Sequence, residues 1–156
     1  MEDMTFFQFI RAYNALIKED NSLYHALAKS FGLSDTAFWI LYLLEESDHP
    51  VTQAEMCAVT CLTKQTVNSA LKGLSDSGYI CLESARGRSR GKQLVLTPSG
   101  RALIARTIHP VFRMEERAYE GLTPLERQTL LDLNRRYQEL LRQAARPLLE
   151  QNSQED

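Results

Sequence analysis

Residues 63–72 read Thr63-Lys64-Gln65-Thr66-Val67-Asn68-Ser69-Ala70-Leu71-Lys72. Val67, Ala70, Leu71 and Leu74 recur at helical spacing, so a helix here has one apolar inward face. The remaining positions, Lys64, Gln65, Thr66, Asn68, Ser69 and Lys72, fall on its outward face. Those side-chain types reach base edges in the DNA major groove. Gln65 and Asn68 can grip adenine through paired hydrogen bonds, and Thr66 can touch a thymine methyl. Each good pair is worth roughly 1–3 kcal/mol of discrimination. At the helix start, near Thr63, free backbone N–H groups can hold a phosphate. Further along, Arg86, Arg88 and Arg90 stand among small residues in the segment 84–91. Arginines on such a tip suit the negative potential of a narrow minor groove.

The elements that must position these residues are also legible. Thr52-Gln53-Ala54-Glu55 is a capping box that opens a short helix. Thr60-Cys61-Leu62 is a tight connection, Thr63 caps the outward-facing helix, and Asp76-Ser77-Gly78 ends it. Residues 79–83 and 92–96 predict two short strands, with the arginine-rich segment as the tip of their hairpin. Helix, tight turn, capped helix, strand, basic tip and strand make a winged helix-turn-helix. Around it the periodicity predicts a helix over 5–30, open to interruption at Asn21-Ser22 and stopped at Gly32. A very apolar helix follows over 36–46 behind Ser34, and its composition marks it as central to the core. Thr97 and Pro98 open a helix to about Gly121 that Pro110 should bend. Thr123-Pro124-Leu125-Glu126 opens a last one to about Leu149, with Pro147 near its end. The fold class is therefore mainly α with a small β-hairpin wing. Its parts are an N-terminal dimerisation helix (1–32), a winged DNA-binding region (33–97) and long C-terminal dimerisation helices (98–156).

Charge is distributed to match. The chain has 156 residues and a net charge of −2. Residues 1–60 carry three bases against nine acids, net −6, and residues 107–156 carry seven against nine, net −2. Residues 61–106 carry eight bases against two acids, net +6, a candidate polyanion footprint. The longest apolar run, Ala37 to Leu44, is eight residues, too short for a membrane span of about 20. An acidic start and three cysteines without a zinc-type CxxC point to a cytoplasmic protein. His25, His49 and His109 have no partner at metal-ligand spacing. No Ser-His-Asp set, phosphate loop or paired-carboxylate site stands out, so no enzyme, metal or cofactor is expected.

The stretch from Val51-Thr52-Gln53-Ala54-Glu55-Met56 through Thr63-Lys64-Gln65-Thr66-Val67 to Gly78-Tyr79-Ile80 resembles the MarR family of bacterial transcription regulators. Leu94-Val95-Leu96-Thr97-Pro98-Ser99-Gly100 resembles that family's strand-to-helix junction. Arg90 falls on the family's wing arginine, while Arg88 stands where an aspartate is usual, and Cys61 where a glycine is common. The resemblance implies a homodimer with intertwined terminal helices meeting a pseudo-palindromic operator, most simply as a repressor. It also implies a small-molecule switch between the dimer helices and the winged region. There Tyr24, His25, Phe38, Trp39 and Tyr42 are either the lining of a cavity for a planar aromatic or phenolic ligand, or core residues.

The apolar stripes of the terminal helices argue for the dimer independently. Unpaired, they exceed the patch a monomer exposes. Twofold pairing would set two recognition helices roughly 34–36 Å apart, one turn of the duplex. Two readings stay open beside the ligand-relieved regulator. Cys57 and Cys61 are small buried hydrophobes or a redox switch, with Lys64 near enough in sequence to lower a thiol pKa. The winged region could also serve as a protein-interaction module without DNA.

Overall fold

The computed structural model describes residues 4–60, 62–84 and 92–152. The element order is α1 (Phe6–Ser30), α2 (Asp35–Glu46), α3 (Gln53–Thr60), α4 (Lys64–Asp76), β1 (Ile80–Ser84), β2 (Lys92–Leu96), α5 (Pro98–Glu120) and α6 (Pro124–Asn152). The chain is mainly helical with one antiparallel hairpin, the fold class expected from the sequence. Two compact units divide it, Met1–Pro110 and Val111–Asp156.

In the first unit, local rules set each boundary. Thr5 caps α1 through a box with Gln8, whose Oε1 accepts from the Thr5 N–H at 2.9 Å. The helix runs unbroken through Asn21-Ser22, where the Ser22 hydroxyl donates to the Lys18 carbonyl at 2.7 Å, inside the helix. It stops where Gly32 takes φ +71°, letting the Leu33 N–H reach the Ala28 carbonyl at 3.0 Å. The end of α4 repeats the device. Gly78 has φ +73°, and the Tyr79 N–H donates to the Leu74 carbonyl at 2.9 Å.

The core lies around α2, whose Ala37, Phe38, Ile40 and Leu41 are all buried. Met56 of α3 joins them, as do Val67, Leu71 and Leu74 of α4, Ile80 and Leu94 of the strands, and Leu103, Ile104 and Ile108 of α5. β1 and β2 pair in register from Ile80↔Leu96 to Ser84↔Lys92. Beyond the two strands, the Leu94 N–H donates to the Val51 carbonyl at 2.9 Å, and Thr52 bridges Gln93. The hairpin base is thus tied to the start of α3. The residues flanking this base, beyond Ile80 and Leu96, are tied together at the head of α5. The Thr97 hydroxyl donates to the Gly78 carbonyl at 2.6 Å, while the Thr97 N–H donates to the Tyr79 carbonyl at 3.0 Å. At this crossing Gly100 has no room for a side chain, since an added Cβ would stand 1.9 Å from the Tyr79 carbonyl oxygen.

In the second unit, Thr123 and Glu126 form a capping box at the head of α6. The Arg127 guanidinium lies 3.5 Å from the centre of the Tyr119 ring and donates to the Tyr119 carbonyl. Pro147 does not cut α6, which extends to Asn152. The helix leaves Leu125, Leu130, Leu133, Leu140, Leu141 and Leu148 exposed along its length. No helix among the described residues is long and apolar enough to cross a membrane.

Candidate nucleic-acid interface

α3 and α4 form the helix-turn-helix. The Glu55 carboxylate accepts from both the Thr52 N–H at 2.7 Å and the Thr52 hydroxyl at 2.8 Å, fixing the first turn of α3. These two donors hold the Glu55 carboxyl below the usual glutamate range. Thr63 caps α4, its hydroxyl oxygen accepting from the Thr66 N–H at 3.2 Å. The hydroxyls of Thr63 and Thr66 lie 2.8 Å apart, so Thr66 is engaged in the cap as well.

Val67, Leu71 and Leu74 are buried and Ala70 half-buried, so the inward face matches the sequence pattern. Thr63, Lys64, Gln65, Thr66, Ser69 and Lys72 are exposed on the other side. Lys64 forms no ion pair among the described residues, whereas the Lys72 ammonium is bonded to Asp76 one turn on. That carboxylate raises the Lys72 pKa, and it also offsets the charge Lys72 would offer a phosphate.

Asn68 is placed differently from its neighbours. It is half-buried, and its Oδ1 accepts from Gln53 Nε2 at 2.6 Å. This bond ties the first turn of α3 to α4 and leaves the Asn68 amide N–H groups as its outward donors. Sequence reasoning missed Gln53. The two residues are 15 positions apart on different helices, and no local spacing links them.

Arg86, Arg88 and Arg90 lie outside the described residues. The strand ends that carry this tip, Ser84 and Lys92, are paired and exposed.

Four of the five candidate ligand residues come together. Tyr24 and Trp39 ring centres are 5.0 Å apart, Phe38 and Trp39 5.3 Å, and Trp39 and Tyr42 5.3 Å. Phe38 is fully buried and belongs to the core, while Tyr24, Trp39 and Tyr42 are half-buried. His25 stands apart from this cluster. Its Nδ1 pairs with Asp35 at 2.9 Å, and it lines a shallow groove with Ile17, Lys18 and Asn21. His109 pairs with Glu45 at 2.7 Å, and among the described residues no group of three His, Cys, Asp or Glu side chains is placed to hold a metal. Cys57 and Cys81 are half-buried free thiols, and Cys61 lies outside the described residues.

Comparison with known proteins bears on the fold. Residues 31–91 match the MarR family. No curated protein matches the sequence. Among solved structures, a MarR family regulator from Neisseria meningitidis is similar with TM-score 0.72 and 19% identity, over 86% of this chain and 94% of that one. Staphylococcus aureus MarR, solved in complex with salicylate and kanamycin, is similar with TM-score 0.65 and 19% identity, over 86% and 91%. BpsR of Bordetella bronchiseptica, whose DNA binding is regulated by 6-hydroxynicotinic acid, is similar with TM-score 0.58 and 19% identity, over 81% and 98%. At these identities the likeness is one of fold.

Proposed function

We propose that this chain, whose residues 31–91 match the MarR family, is a homodimeric, sequence-specific DNA-binding transcription regulator, acting as a repressor and not as an enzyme. The observation that carries this reading is the capped α4, which turns Lys64, Gln65, Thr66 and Ser69 outward while Val67, Leu71 and Leu74 anchor it. Such a helix has the size and chemistry to enter a major groove. Gln65 and Asn68 are assigned to base edges, and Thr63, Lys64 and Lys72 to the backbone. Arg86, Arg88 and Arg90 are assigned to the adjacent minor groove.

The exposed leucines of α6 support self-association, since pairing two copies removes that apolar surface from water. The effector is assigned to the small aromatic or phenolic class. Two proteins of this fold, S. aureus MarR with salicylate and BpsR with 6-hydroxynicotinic acid, meet such molecules. In this chain Tyr24, Trp39 and Tyr42 offer the stacking faces. A ligand acts only if it prefers one arrangement of the two winged regions.

The test is gel retardation with the DNA flanking the protein's own gene, at low and moderate salt. A retarded band at low salt that weakens steeply with salt is expected. The absence of any shift at low salt would overturn the reading in favour of a protein-interaction module.

A further inference from the structure

Beside α4 the first unit carries an open groove of about 820 Å³. One wall is the outward side of the recognition helix, Gln65, Thr66 and Ser69. The opposite side is built from the α1–α2 turn and the start of α2, with Ser34 and Thr36, and from Arg106 on α5. The lining carries several hydroxyls and the Gln65 amide among small and apolar residues, and Arg106 is the only charged residue among the described residues that line it. Arg106 is exposed. Among the described residues it forms no ion pair and donates no hydrogen bond, unlike Arg101 one turn earlier, which is spent on the Leu96 carbonyl at 2.8 Å. Lys72 on α4 is likewise committed, to Asp76. A polar groove with one uncommitted cation and no counter-charge is complementary to a single anionic group.

We infer that this groove takes a sugar-phosphate strand of the DNA bound by α4, with Arg106 contacting a phosphate. The inference rests on the DNA-binding reading above and adds a contact outside the helix-turn-helix and the wing. Continuity carries the choice of occupant. Gln65, assigned to a base edge, is itself part of the groove's wall beside the exposed Thr66 and Ser69, so a duplex on that helix brings a strand to the groove's mouth. The arginine fork then offers paired donors to phosphate oxygens. The contact carries no sequence information and sets register.

The experiment is fluorescence anisotropy of the full-length protein on two duplexes of equal length, one flanking its own gene and one unrelated, across a potassium chloride series. Arg106→Gln is expected to weaken binding to both duplexes alike. It should flatten the plot of log Kd against log salt by about 0.9 per site, or about 1.8 for a dimer. Arg106→Lys should restore most of the slope. An unchanged slope in Arg106→Gln overturns the inference and leaves DNA binding standing, whether the groove holds a small anion or nothing. A flattened slope that Arg106→Lys does not restore also overturns it, because the charge would then not be the cause. Failure of the unaltered protein to bind either duplex overturns the underlying reading instead.

Discussion

α4 and α6 are both amphipathic helices with leucines at helical spacing, yet they dispose of their apolar faces in opposite ways. α4 buries Val67, Leu71 and Leu74 within its own compact unit and leaves only polar residues outside. α6 leaves its leucines in solvent, with Leu133 60% and Leu140 53% exposed. The difference teaches that a hydrophobic stripe identifies a face that must be covered, not the chain that covers it. For α4 the cover is internal, so its free face is available for recognition. For α6 the cover is assigned to a second copy.

The largest effect is expected from charging the α6 face. Leu133→Glu with Leu140→Glu should give a monomer by light scattering. Losing the second winged region should cut affinity for a two-site duplex about 100- to 10,000-fold. A charged α6 that still dimerises would show that this face is not the one paired.

Next in size is Gly100→Ala, which attacks the self-sufficient unit. With a Cβ 1.9 Å from the Tyr79 carbonyl oxygen, the strand-to-helix crossing must open. A loss of about 3 kcal/mol is expected, read as a lowered midpoint in urea. Dimerisation through α6 should be less affected than the fold of the winged unit.

A specificity change comes third. Asn68→Ala should relax preference at one base pair by about 1 kcal/mol, the worth of one donor contact, without altering the salt slope. Gln53→Ala should move the same position by less, because it only holds the Asn68 amide. Equal affinities for all base substitutions in the parent protein would contradict the assigned docking.

Much of this was legible in residue types. Thr52 with Glu55, Ser34, Thr63, Gly32 and Gly78 each marked a helix end through chemistry confined to a few neighbours, and the structure uses each as such. Asn21-Ser22 suggested a break that did not occur: the Ser22 hydroxyl bonds back to the Lys18 carbonyl within the helix and does not cap a new one. The Gln53–Asn68 bond, the Gly100 crossing and the Arg106 groove were not legible. Each depends on elements brought together from distant segments, where periodicity carries no information. The aromatic set Tyr24, Phe38, Trp39 and Tyr42 was found as a group, but only packing separates the buried Phe38 from the half-open faces around it, and sets His25 apart.

The smallest effects concern the caps. Thr52→Ala should cost about 1 kcal/mol through α3. The carboxyls of Glu55 and Glu126 are both held below the ordinary value by N–H and hydroxyl donors from Thr52 and Thr123. A lowered folded pKa means the unfolded chain binds more protons in acid. This stabilisation is therefore complete above about pH 4.3 and lost as pH falls through the lowered values. Melting curves of Thr52→Ala and Thr123→Ala should draw closer to the parent below that range, where only the lost bond from the Glu55 or Glu126 N–H to the hydroxyl still separates them. A difference that persists unchanged in acid would contradict the cap assignment.

Sedimentation equilibrium with a labelled duplex from the flanking DNA tests the central claim most directly. A free species of twice the 17.8 kDa chain mass and a complex holding two chains on one duplex are expected. A species of single-chain mass that leaves the duplex unbound in dilute salt would contradict it.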